Sequence, residues 1–182
     1  MQEADKQRRH DEHFMKMAKG EAEMSKDRST KVGCVIVKDN ITVASGYNGF
    51  PRGIYDSGED LEPKLKAREW AVDSRIPEEK RKAAKDEIEA RHDRPAKYKW
   101  TEHAERNAIF NNARVGGPSL LGSTAYVPWY PCVDCTRALI QVGVSTMVAY
   151  EPDFNDPRWG EDFRISKRML AESGVVVRFL KP

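Results

Sequence analysis

His103 and Glu105 stand two positions apart in TEHAERNAIF (Thr101 to Phe110), where a highly charged stretch gives way to an apolar one. Cys132 and Cys135 stand three apart in WYPCVDC (Trp129 to Cys135), directly after Pro131. Taken alone, the first group is equally the polar start of an ordinary helix. A threonine at the N-cap (Thr101) and an acid in the first turn suit the free N–H groups and the helix dipole there. The second group says more. Pro131 suits a first helical turn, two sulfurs at i and i+3 share one helix face, and a helix N-terminus favours thiolate over thiol. The pair supplies two metal ligands, and zinc takes three or four from protein, so His103 is the natural third. One histidine and two cysteines leave a tetrahedral zinc with an open position, the mark of a catalytic ion. Water there is acidified toward a pKa of ~7. Glu105 is then not a ligand but a proton carrier beside that water.

Together, H-x-E and P-C-x-x-C make the signature of zinc deaminases that act on nucleobases. The combination is far more specific than either half, because three ligands, one acid and one proline must coincide. Two rival readings are a redox C-x-x-C pair and a structural zinc. A structural zinc wants a fourth ligand. His92 lies in a charged stretch and Cys34 in an apolar one, so neither is an obvious fourth.

The chain around these residues has 182 positions, enough for one domain. Hydrophobic residues make up 39% and charged residues 33%, and the net charge is only +2. That balance does not demand a nucleic-acid partner, and no long Lys/Arg run marks a membrane arm. No stretch approaches the ~18 apolar residues of a membrane span. The polar opening MQEADKQRRHDEH has no signal-peptide core. Three cysteines, an odd number, argue against a disulfide framework and for a reducing, cytoplasmic setting.

Periodicity places the elements. Residues from about Asp11 to Ser25 read as a helix with Phe14, Met17, Ala18 and Ala22 on one stripe. Lys31 to Val37 and Ile41 to Tyr47 read as strands of an antiparallel hairpin across Lys38-Asp39-Asn40, with Cys34 a small hydrophobe inside the first. After NGFPRG (Asn48 to Gly53) the composition shifts. From about 55 to 99 the chain is mostly charged and punctuated by Pro63, Pro77 and Pro95; EEKRKAAKDEIEARHDR within it has helical propensity and mixed-sign charges, which suggests an exposed helix or a mobile arm. We expect an insertion in a single domain spanning 1–182, not a second domain. Helices are then expected from His103 to Ala113, from Pro131 to about Val142 and from Glu161 to Ser173, the last with Phe163, Ile165, Met169 and Leu170 as apolar positions. Strands alternate with them at Ser123–Pro128, Val144–Tyr150 and Val175–Leu180. That alternation implies right-handed crossovers and parallel pairing. The expected fold is α/β: a three-layer α-β-α sandwich around a five-stranded mixed sheet.

The helix–strand–strand opening, GYNGFPRG (Gly46 to Gly53), EHAERNAI and PWYPCVDC together resemble the deoxycytidylate (dCMP) deaminases of the cytidine deaminase-like superfamily. The likeness covers most of the chain outside the insertion. The zinc motifs are common to the superfamily, and GYNG-x-P-x-G is what points to the dCMP branch. The resemblance implies hydrolysis of dCMP to dUMP and ammonia, which would feed thymidylate synthesis. One zinc per chain would be held by His103, Cys132 and Cys135. Glu105 would move protons between the attacking water, N3 of the cytosine and the departing amino group. The branch often forms homo-oligomers, hexamers among them, and often responds to dCTP and dTTP; a triphosphate effector would bring Mg2+ with it. Some members hold a second zinc on extra Cys and His residues. Only Cys34 is left unassigned here, so none is expected.

Other residues carry two readings each. Asn48 is either a turn residue, in a strong Asn-Gly turn signal, or a hydrogen-bonding partner of the sugar or of an effector. Gly49 and Gly53 admit close approach of backbone N–H groups to phosphate. Arg28 and Lys31 either meet a 5′-phosphate, with Arg52 nearby, or form a solvated surface pair. Trp129 and Tyr130 either belong to the core or wall the base pocket. Pro152 to Gly160 is aromatic and proline-rich, a loop able to close over the site. His10 and His13 are expected on a solvent face. Two other classes stay open: a deaminase of another substrate (tRNA adenosine, free cytosine or 5-substituted dCMP), or a non-catalytic zinc-binding module. A tRNA enzyme would carry a more basic face than +2 implies, and a purely structural site has no need of Glu105.

Overall fold

The hydrophobic run Cys34-Val35-Ile36-Val37 is buried on both sides, which requires a sheet covered on both faces. The structure, a computed structural model describing residues 3–60 and 77–181, has that arrangement. Its elements are α1 (Glu3–Glu23), β1 (Gly33–Lys38), β2 (Ile41–Tyr47), a 3-10 turn (Gly58–Asp60), α2 (Glu78–Ala90), α3 (Lys97–Trp100), α4 (Ala104–Arg114), β3 (Thr124–Val127), α5 (Val133–Gln141), β4 (Thr146–Tyr150), α6 (Gly160–Glu172) and β5 (Val176–Leu180). They fall into two compact units, Met1–Asn48 with His103–Pro182, and Gly49–Glu102.

The first unit holds the five-stranded sheet, in the order β2-β1-β3-β4-β5. β1 pairs antiparallel with β2 and with β3, and β3, β4 and β5 run parallel, so the expected mixed sheet and parallel pairing are present. The hairpin turns on Asp39 and Asn40, both at positive φ, the backbone that matches the twist of two-residue hairpins. Alternation then sorts the strand side chains. Val35, Val37, Tyr126 and Val148 face α1, where Phe14, Met15 and Ala18 cover them. Cys34, Ile36, Ala125 and Val127 pack with Ala104 and Ala108 of α4 and Leu139 of α5. Met147 and Ala149 pack with Phe163 and Leu170 of α6.

Two of the expected stripes are met in part: Phe14 and Ala18, and Phe163 and Leu170, are buried as expected. In α1 the buried set is Asp11, Phe14, Met15 and Ala18, while Met17 is exposed. The cause is Asp11, whose carboxylate accepts hydrogen bonds from Arg178 and from the Tyr126 hydroxyl and so takes a buried position that hydropathy assigns to an apolar residue. In α6, Ser166 is buried and Ile165 is exposed.

The second unit opens and closes on a two-residue bridge between Gly49 and Glu102. Within it, Glu89 accepts the Gly58 N–H at 2.7 Å, a His92 ring nitrogen lies 2.7 Å from the Asp56 carbonyl oxygen, and Phe50 lies against the His92 ring. Of the two readings of the charged stretch, exposed helix or mobile arm, the helix is present as α2. Residues 61–76 of that stretch, Pro63 included, lie outside the described residues.

Candidate active site

The site begins with a close approach of helix to strand. A Cβ on Gly46 would lie 2.4 Å from the Ala108 nitrogen, so only glycine lets α4 sit this close to β2. Asn107 and Asn111, one turn apart, then donate to the Tyr47 and Ser45 carbonyls at 2.8 Å each. Pinned in this way, α4 presents its N-terminus at a set place. His103 is the N-cap, with extended backbone and no capping hydrogen bond from its side chain. Thr101, the expected cap, instead ends α3. Glu105 lies in the first turn of α4 and is buried.

β3 leads into the second helix start. Cys132 is the N-cap of α5, Cys135 lies fully buried in its first turn, and both sulfurs face His103. The His103 Nδ1 is 3.4 Å from the Cys132 Sγ and 3.5 Å from the Cys135 Sγ, and the three ligand atoms all lie within 4.8 Å of one another. Bonds of ~2.3 Å to sulfur and ~2.0–2.1 Å to nitrogen at tetrahedral angles place such atoms about 3.6 Å apart. The three residues therefore fit one metal ion, and no other such group occurs among the described residues.

The site's protons follow from this crowding. A hydrogen bond from the Cys135 thiol draws the Cys132 thiol down to about 4, with help from His103. The same shared proton, together with burial, pushes Cys135 far up. His103 is raised, chiefly by its hydrogen bond to Cys132. Burial raises the carboxyl of Glu105, and the nearby His103 charge offsets part of that rise. A metal needs both sulfurs as thiolates, so its binding expels the proton that Cys135 holds.

The remaining candidates are spread out. Asn48 is buried, and its side chain clamps the loop before β1: its oxygen accepts the Val32 N–H at 2.8 Å, and its amide donates to Thr30 O and to Asp27. Asp27 in turn accepts the N–H groups of Ser29 and Thr30, an Asx turn that D-x-S-T foreshadows. Arg28 and Lys31 are exposed on this loop. The Gly49 N–H donates to the Glu102 carbonyl at 3.0 Å. Trp129 is half-exposed and set at a steep angle to the Phe163 ring, whereas Tyr130 is packed among Phe154, Phe163 and Phe179. The Pro152–Gly160 loop is held by turns at Asp153 and Asp156. The sequence reading did not single out Asn107 and Asn111. Their signal was two amides spaced i, i+4 on a helix otherwise fit to pack on a strand.

Comparison with known proteins agrees with this geometry. Residues 8–151 match the family model described as the cytidine and deoxycytidylate deaminase zinc-binding region. The chain is 33% identical to an uncharacterized deaminase from the luxG 3' region of Aliivibrio fischeri, over 92% of this chain and 90% of that protein. It is 30% identical to the deoxycytidylate deaminase of Mus musculus, over 94% of this chain and 79% of that one. A dCMP deaminase from the cyanophage S-TIM5, solved in complex with dCMP and dUMP, shares the fold with a TM-score of 0.61 at 22% identity, covering 99% of both chains. The chain thus belongs to the cytidine and deoxycytidylate deaminases, hydrolytic enzymes with a zinc-binding region.

Proposed function

We propose that this chain hydrolyses dCMP to dUMP and ammonia. The observation that carries the reading is the convergence of His103, Cys132 and Cys135 on one point, with the buried acid Glu105 two residues from His103. The names of its relatives, and the dCMP and dUMP bound to the cyanophage enzyme, support this nucleotide as substrate.

His103, Cys132 and Cys135 would hold one zinc, which when bound supplies Lewis-acid activation of water at neutral pH. Glu105 does the proton work. Its carboxylate takes a proton from the attacking water, delivers it to N3 of the cytosine, and then helps protonate the departing amino group. Burial, which favours its protonated form, suits a group that must both accept and give a proton. Arg28 and Lys31, on the loop that Asn48 clamps, offer charge to a 5′-phosphate, and the half-exposed ring of Trp129 offers apolar surface to the base. We further infer a homo-oligomer whose rates respond to dCTP and dTTP, with Mg2+ accompanying the triphosphate, as in the dCMP branch that GYNGFPRG resembles. Three cysteines without a disulfide fit a reducing, cytoplasmic setting.

The decisive experiment is a side-by-side ammonia-release assay on dCMP, deoxycytidine, cytosine and an adenosine-bearing tRNA stem-loop. We expect dCMP to be turned over fastest. Each charge-assisted bond to the phosphate is worth ~1.5–3 kcal/mol, or roughly 10- to 150-fold in specificity. Faster turnover of cytosine or of the stem-loop would overturn the substrate. Metal analysis should find one zinc per chain; two, or none, would contradict the ligand set. Sedimentation as a monomer, with rates indifferent to dCTP and dTTP, would rule out the regulated oligomer.

A further inference from the structure

His103 comes from the start of α4 and both sulfurs from the start of α5, so the ligand triangle depends on the relation between two separate helix ends. One ion pair spans them. Arg106, the residue after Glu105, places its Nη1 3.5 Å from the Oδ2 of Asp134, which lies between the two cysteines. Asp134 also pairs with Arg137 one turn along α5, on the exposed side of that helix.

We propose that Arg106 and Asp134 are positioning residues for the metal: the pair ties the helix start bearing His103 and Glu105 to the one bearing Cys132 and Cys135. The inference rests on the zinc reading above. Charge gives the pair its purpose. A divalent ion offsets the two thiolates it requires of Cys132 and Cys135, which leaves the carboxylate of Asp134 between them as the group's remaining negative charge. The Arg106 guanidinium supplies the opposing charge from the other motif, and its side chain is 26% exposed against 54% for Asp134, so the pair lies at the edge of the site with its cation on the inner side. Its attraction therefore acts across the gap that the ligands must keep closed. An ordinary solvated pair, the competing account, would matter little to anything, since exposed ion pairs contribute almost nothing to fold stability.

The test uses the zinc-loaded full chain and the variants R106Q, D134N and the double substitution, with R106K as the conservative change. Zinc release to a coloured chelator is timed, cobalt-substituted samples are scanned for the thiolate charge-transfer band, and the metal-free proteins are melted. Outer partners of metal ligands typically matter 10- to 100-fold. We expect each single substitution to speed release at least ~10-fold and to shift the cobalt band. The double variant should release no faster than the faster single one, R106K should retain most of the metal, and metal-free melting should be unchanged. Release at the wild-type rate would overturn the inference and leave the zinc reading intact. Effects that multiply in the double variant, or a metal-free melting point that falls in step with retention, would overturn it likewise. A wild-type chain that takes up no zinc would overturn both.

Discussion

Asp11 and Arg178, 167 positions apart in the chain, are joined by two hydrogen bonds of 2.8 Å, from the guanidinium Nε to Oδ2 and from Nη2 to Oδ1. The Tyr126 hydroxyl donates to the same carboxylate at 3.0 Å, so the group links α1, β3 and β5 on the face of the sheet away from the metal ligands. Removing one partner leaves the other charge desolvated, typically at 3–5 kcal/mol. Arg178 keeps 31% exposure, so we expect Asp11→Ala to cost about 3 kcal/mol in urea unfolding, the low end of that range. Zinc per folded chain should not change. A loss below about 1 kcal/mol would show the group to be incidental.

Gly46→Ala tests how the strand positions the helix. The added Cβ would meet backbone at Ala108 N and Ala104 O, which cannot swing aside as a side chain would. Overpacking of this kind costs about 1–3 kcal/mol. Because α4 bears His103 and Glu105, its displacement should also lower turnover about 10²-fold, the usual penalty for ångström-scale misplacement. A variant with wild-type melting and turnover would mean that α4 is not held through this contact.

Tyr130→Phe should be neutral or stabilising. The ring is buried among three phenylalanines, and its hydroxyl has no hydrogen-bond partner among the described residues. An unpaired buried hydroxyl costs about 1–3 kcal/mol, and the substitution removes it without changing the ring. The pH dependence has a definite sign. Burial pushes the Tyr130 hydroxyl up to about 12, while an unfolded tyrosine ionises near the ordinary value of 10.0. Between those values the folded chain binds the extra proton, so this residue's contribution to stability falls as pH rises. Denaturant midpoints at pH 8, 10 and 11 should decline less steeply for Tyr130→Phe than for wild type; parallel declines would contradict the assignment.

Glu105→Gln should keep its fold and its zinc yet lose nearly all turnover. One general acid–base group is typically worth ~10²–10⁴-fold, and we expect a larger loss because Glu105 serves several proton transfers. Metal content and a thermal melt establish that the variant is intact. Turnover within tenfold of wild type would remove Glu105 from the mechanism.

The chemistry was legible in the chain because it depends on short range. H-x-E and C-x-x-C each place their groups within one helical turn, and Pro131 marks where the second turn begins. The hairpin and the helix–strand alternation were legible for the same reason: neighbouring residues set their periodicity, and parallel strands joined by helices allow few topologies. What lay beyond reach depended on partners distant in sequence. Nothing near Asp11 announces that a guanidinium 167 positions away will make its burial tolerable, so hydropathy placed Phe14 and Ala18 on the buried face of α1 but missed Asp11 there. Asn48 carries a turn signal, yet its amide is committed to a loop 16 to 21 positions earlier. Sequence by itself thus determined which residues could form a metal site and which elements must carry them. Tertiary structure alone decided where the helix start bearing His103 and Glu105 sits, because that place is set by the absent side chain of Gly46 and by amides reaching backbone carbonyls some 60 residues away; it alone decided which face of α1 is buried, because the cost of burying Asp11 is offset only when Arg178 and Tyr126 arrive.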